Sequence, residues 1–98
     1  MPSLESTFQA NLIRDLKDIF DGCVVLKNDA NYIQGFPDLL ILYRDRWAAL
    51  ECKRSSHASI RPNQRYYIDI LNSMSYAAFV YPENKEEVLN DLQQAFES

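Results

Sequence analysis

The chain has 98 residues, 47% apolar and 24% charged, with a formal net charge of −4. That length predicts one domain over residues 1–98 with a single hydrophobic core, and the fractions are ordinary for a globular protein. No apolar run approaches about 18 residues, which excludes a membrane-spanning helix, and Met1 to Glu5 lack the basic and apolar regions of a signal peptide. The expected location is therefore the cytoplasm. Two cysteines and one histidine are too few for a disulfide scaffold or a zinc site. Cys23 and Cys52 lie in apolar stretches and read as buried, reduced thiols.

Ser3 to Phe20 has helical periodicity, with Leu4, Phe8, Leu12, Leu16 and Ile19 on one side. Ser3 suits its N-cap and Gly22 its stop. Cys23 to Lys27 reads as a short buried strand, and Asn28 to Gly35 as a polar, turn-rich loop. Pro37 to Tyr43 and Trp47 to Lys53 read as two strands apolar on both faces, the mark of burial on both sides. After a polar link, Arg54 to Ser59, a helix is predicted over Pro62–Met74, with Tyr67, Ile70, Leu71 and Met74 as its stripe. A strand over Tyr76–Tyr81 and a helix over Glu83–Phe96 complete an α-β-β-β-α-β-α order.

Charge is unevenly distributed. Residues 44–65 carry six bases and two acids, a net +4, and the remainder carries four bases and twelve acids, a net −8. This suggests one basic face on an acidic body; a chance cluster on a solvated surface is the alternative. Arg44, Arg46, Arg54, Arg61 and Arg65 are candidates for phosphate contacts, Arg54 and Arg61 most of all. Arg44 and Arg46 would sit at the far turn. His57 could reach a phosphate from its loop or stay exposed, and Tyr66 and Tyr67 could stack on bases or pack in the core.

The chemistry emerges when the two central strands are folded as a hairpin. A two-residue turn at Arg44-Asp45 pairs residues whose numbers sum to 89, and a four-residue turn gives the same sum. Asp38 then falls opposite Glu51, and opposed residues share a face. Lys53, two residues on, joins them by alternation, while Cys52 points to the other layer. An odd-length turn would break this register. Two adjacent carboxylates repel unless compensated, and a hard cation such as Mg²⁺ prefers oxygen ligands. With a lysine beside them, the set suits phosphodiester hydrolysis. The alternative is an ion pair at a strand end.

Gly35-Phe36-Pro37-Asp38 followed by Glu51-Cys52-Lys53 resembles the signature of the PD-(D/E)XK nuclease superfamily, and most closely VRR-NUC domains and Holliday junction resolvases of phages and archaea. The resemblance implies a restriction-endonuclease-like α/β core, a mixed four-stranded sheet flanked by helices. It implies that Asp38, Glu51 and the backbone carbonyl of Cys52 hold Mg²⁺, with Mn²⁺ able to substitute, and that Lys53 orients or activates the attacking water. The products would carry a 5′-phosphate and a 3′-hydroxyl. Glu5 matches by placement a glutamate that completes the metal set in many members, although an acid there also suits the helix dipole. Gln64 matches a Q-x-x-Y pattern and lies on the stripe of Tyr67 and Leu71, where it needs a polar partner or an exposed edge.

The expected activity is Mg²⁺-dependent endonucleolytic cleavage of DNA, with Asp38, Glu51, Lys53 and Gln64 catalytic and Arg54, Arg61, Arg65 and His57 contacting DNA. No element for reading a groove sequence is visible, so branched or junction DNA is the expected substrate. Two cuts in one junction imply a homodimer, and the resemblance suggests a phage or mobile-element origin. A nuclease fold that only binds DNA, and a small α/β protein-interaction module, are the alternatives.

Overall fold

A computed structural model describes residues 3–97; Met1, Pro2 and Ser98, and with them the ends of the 1–98 domain and part of the Met1–Glu5 segment, lie outside it. Helix α1 spans Leu4–Ile19 and opens as its sequence predicts, with the Ser6 N–H donating to Ser3 Oγ at 3.1 Å. The chain turns at Gly22, whose φ of +84° favours a residue without Cβ. Strands β1 (Val24–Lys27), β2 (Leu39–Tyr43) and β3 (Arg46–Cys52) form an antiparallel meander. Helix α2 (Pro62–Met74) then crosses over to β4 (Tyr76–Val80), which pairs parallel to β3. A 3-10 turn at Pro82–Asn84 leads into α3 (Lys85–Glu97), so the last helix starts two residues later than its acidic run suggests.

The sheet order is β1-β2-β3-β4. Alternation splits its side chains between two cores. Leu39, Ile41, Leu50 and Cys52 pack with Leu12 and Leu16 of α1, and Val88, Leu92 and Phe96 of α3 join the same cluster. On the other face Ala49, Ala77 and Phe79 pack with Ile68 of α2. Phe20, Tyr43 and Phe96 close the hairpin end of the first core, with ring centroids 5.1–5.6 Å apart.

Three expectations need correction. Strand β1 is not buried: it is an edge strand, with Val24 50% and Leu26 44% exposed. Strand β2 is not covered on both faces, since α2 packs over β3 and β4 and leaves Leu42 exposed; only β3 has the full two-sided burial that its composition suggests. In α2 the buried position is Ile68, not Met74, which is 63% exposed at the helix end. Cys23 is half-buried, with its thiol directed at the Leu16 carbonyl, while Cys52 is fully buried. At the opposite edge, Asn72 Oδ1 accepts from the Ala77 N–H, and Asn84 Nδ2 donates to the Phe79 carbonyl. These two side chains occupy backbone groups of β4 that would otherwise invite another strand.

Candidate active site

The hairpin turn is the two-residue one, with Tyr43 paired to Arg46 and Leu39 to Leu50. Arg44 takes a φ of +57°, in keeping with the tight turns that join twisted strands. The register continues past the last ladder pair, so Asp38 meets the end of β3. The Asp38 N–H donates to Glu51 Oε1 at 3.2 Å, and the Cys52 N–H donates to Asp38 Oδ2 at 2.9 Å. Asn28 holds this strand end from behind: its N–H donates to the Asp38 carbonyl at 2.8 Å and its Nδ2 to the Pro37 carbonyl at 2.7 Å.

Lys53 and Gln64 complete the network. Lys53 Nζ donates to Gln64 Oε1 at 2.8 Å and lies 3.9 Å from Glu51 Oε2. Gln64 Nε2 donates to Glu51 Oε2 at 3.1 Å, and Gln64 Oε1 also accepts the Arg61 N–H at 3.0 Å. Two donors therefore converge on one amide oxygen, which sets the orientation of the amide. Gln64 thus ties the lysine and the glutamate together from the first turn of α2, where it also satisfies an N–H at the helix start.

Glu51 and Lys53 are the buried charged residues among those described, 6% and 8% exposed. Burial pushes the Glu51 carboxyl up to about 8, the neighbouring Asp38 charge pushes it the same way, and Lys53 opposes both. Asp38 is also raised, chiefly by burial, against its hydrogen bond from the Cys52 backbone and the Lys53 charge. Beneath them burial lifts the Cys52 thiol to about 12, against a hydrogen bond with Gln9. Cys52 is consequently a protonated, inert core residue. Gln9 carried no signal in the sequence, because a polar residue on an amphipathic helix is unremarkable.

A basin of about 420 Å³ opens onto these groups, with Glu5, Arg54, Ser59 and Arg61 around its rim. Glu5 lies in the exposed first turn of α1. Among the described residues no three His, Cys, Asp or Glu side chains cluster closely enough to hold a metal together, so Asp38 and Glu51 form the carboxylate pair and Glu5 stands off at the rim. Arg65 is placed elsewhere: its guanidinium lies 4.8 Å from the Phe79 ring centroid and pairs with Asp69 at 4.0 Å. His57 is exposed on the link, where Ser56 anchors the chain by donating through its N–H and Oγ to Glu83 Oε2. At the far end Arg46 Nη1 donates to the Ala95 carbonyl and Arg44 lies over the Tyr43 ring. Tyr66 is exposed, whereas the half-buried Tyr67 ring meets Phe36.

Asp38 and Glu51 bring carboxylate oxygens to the basin, the donor type that a hard divalent cation takes, and Lys53 already sets one positive charge 3.9 Å from Glu51 Oε2. No family model matches the chain, and no curated protein matches it. A solved structure described as a VRR_NUC domain protein superimposes with a TM-score of 0.69, covering 99% of this chain and 91% of that one at 17% identity. The fold is VRR-NUC-like. This scaffold places Asp38, Glu51 and Lys53 at the open end of the central hairpin, with α2 across them. No helix among the described residues is long and apolar enough to cross a membrane.

Proposed function

We propose that this chain hydrolyses phosphodiester bonds of DNA with the help of Mg²⁺. The observation that carries the reading is the pairing of Asp38 with Glu51 at the end of one hairpin, beside a buried Lys53 whose ammonium is fixed by Gln64. A purely structural ion pair would not need a second carboxylate, which raises the cost of ionising the first.

Asp38 and Glu51 would hold the cation together with the Cys52 carbonyl, which lies on the same side of β3 as the N–H that meets Asp38. The cation, when bound, supplies Lewis-acid stabilisation of the phosphate oxygens, and Mn²⁺ offers the same chemistry. Lys53 brings a fixed positive charge to the same edge of the basin. It steers an attacking water by hydrogen bonding and offsets negative charge growing on the phosphate in the transition state. Gln64 limits the motion of that ammonium. Arg54 and Arg61 at the rim supply salt-sensitive contacts to flanking phosphates.

Branched or junction DNA is the proposed substrate class, since no groove-reading element is recognised among the described residues. Two cuts in one junction would need two copies, and the exposed apolar residues Val24, Leu26 and Leu42 offer a surface for a homodimer. The test is cleavage of an end-labelled four-way junction beside linear-duplex and flap controls, in Mg²⁺ and Mn²⁺. Wild type is expected to yield 5′-phosphate and 3′-hydroxyl ends, and Glu51→Ala and Lys53→Ala to yield none. Folded, metal-supplied wild type that cuts no substrate would overturn the reading in favour of a DNA-binding protein without catalysis.

A further inference from the structure

The connection from β1 to β2 does more than reverse the chain. Its residues Asn31, Gln34 and Phe36, with Arg61 and Asn63 at the start of α2, wall a second cavity of about 220 Å³. The second cavity and the catalytic basin share Asp38, Glu51, Arg61 and Gln64, so the two spaces meet at the carboxylates. Gly35 makes the joint possible. Its φ is +85°, and a Cβ there would come within 2.5 Å of Asn63 Cγ, so the loop backbone lies directly against the start of α2.

The wall has a distinctive chemistry. Asn31, Gln34 and Asn63 each present a carboxamide, with a donor and an acceptor, and no side-chain hydrogen bond among the described residues engages any of the three. Phe36 adds an aromatic ring, held at 5.4 Å from the Tyr67 ring in an edge-on arrangement. Arg61 is the one cation among the lining residues, and it is opposed by Asp38 and Glu51 at the inner edge, which disfavours a phosphate there. A neutral planar heterocycle with mixed donors and acceptors matches this wall. The space is smaller than the roughly 300–1,000 Å³ of drug-sized pockets and suits a single base.

We infer that this cavity is a subsite for one unpaired nucleobase flanking the scissile phosphate. The inference rests on the nuclease reading and narrows its substrate: DNA with an unpaired nucleotide beside the cut. A base in an intact duplex would first have to leave its stack, a cost that is least for a nucleotide already unpaired. Asn31 and Gln34 would then be specificity residues that touch the base, remote from the water and the cation.

The test compares two duplexes with a one-nucleotide bulge, one bearing its base and one abasic at that position. Binding is read by fluorescence anisotropy at low salt without divalent cations, so that nothing is cut. Wild type is expected to prefer the base-bearing bulge about tenfold, the scale of one stacked and hydrogen-bonded base. The double variant Asn31→Ala/Gln34→Ala is expected to lose that preference, bind the abasic probe as wild type does, and keep the wild-type circular dichroism spectrum, both side chains being exposed. Equal affinities in wild type, or a preference that survives in the double variant, would overturn the subsite. Cleavage in Mg²⁺ without a base preference sinks the subsite alone, whereas a base preference without cleavage of any substrate sinks the hydrolysis alone.

Discussion

Replacing Glu51 by glutamine is expected to stabilise the cation-free protein at pH 8 and to fail to do so at pH 4.5. Burial pushes the Glu51 carboxyl from its ordinary 4.5 up to about 8 in the fold, so the native state holds its proton more tightly than the unfolded chain. Stability from that proton is fully present below pH 4.5 and is lost as the pH rises through 8. At about 1.4 kcal/mol per pH unit, the loss is about 3 kcal/mol by pH 7 and approaches about 5 kcal/mol by pH 9. Asp38, also raised by burial, adds a loss of the same sign. Glutamine mimics the protonated acid, so Glu51→Gln escapes the Glu51 loss, less about 1 kcal/mol for an acceptor lone pair that the amide lacks. Melting followed by circular dichroism in EDTA should show a gain of roughly 10 °C or more at pH 8, since about 1 kcal/mol moves a domain of this size by 4–8 °C. At pH 4.5 the variant should be no more stable than wild type. Mg²⁺ should raise the melting temperature of wild type only, with proton release at pH 7 in calorimetry. A shift in melting temperature that does not vary with pH would refute the reasoning, because a packing effect would not track the titration of residue 51.

Three further outcomes are expected. Lys53→Met should abolish cleavage while leaving junction binding within about threefold, checked by cleavage and anisotropy side by side, because the methionine keeps the apolar stem but brings no charge to the phosphate. Arg54→Ala and Arg61→Ala should each weaken DNA binding and shallow its salt dependence by about one unit of slope, whereas Arg65→Ala should leave the slope alone; a titration from low to moderate salt distinguishes the three. Gly35→Ala should cost about 2–3 kcal/mol in urea unfolding, combining a left-handed backbone position with an added Cβ 2.5 Å from Asn63 Cγ. An unchanged midpoint there would show that the loop is not seated on α2.

The sequence by itself determined the register that brings Asp38, Glu51 and Lys53 together. Two apolar runs separated by Arg44-Asp45 leave an even-length turn as one choice, and period-2 alternation then carries Asp38, Glu51 and Lys53 to one face without knowledge of the rest of the fold. Gln64 was legible for a related reason: a polar residue on the stripe of Tyr67 and Leu71 needs a partner, and Lys53 and Glu51 supply it. The tertiary structure alone decided what covers each surface. An apolar strand reads alike whether it is central or at an edge, so β1 and the outer face of β2 were expected to be buried until the placement of α2 over β3 and β4 showed otherwise. It also decided which arginines reach the site. Arg61 and Arg65 are four residues apart, a spacing that would stack them on one helical face. Arg61, however, is an N-cap with extended backbone, φ −78° and ψ 150°, so its direction escapes the helical repeat and it reaches the basin rim. Arg65 lies inside the helix and turns over Phe79. Non-local contacts of this kind, the loop against α2 above all, leave no periodic trace in a sequence, because they arise from where whole elements pack and not from the spacing of residues along one of them.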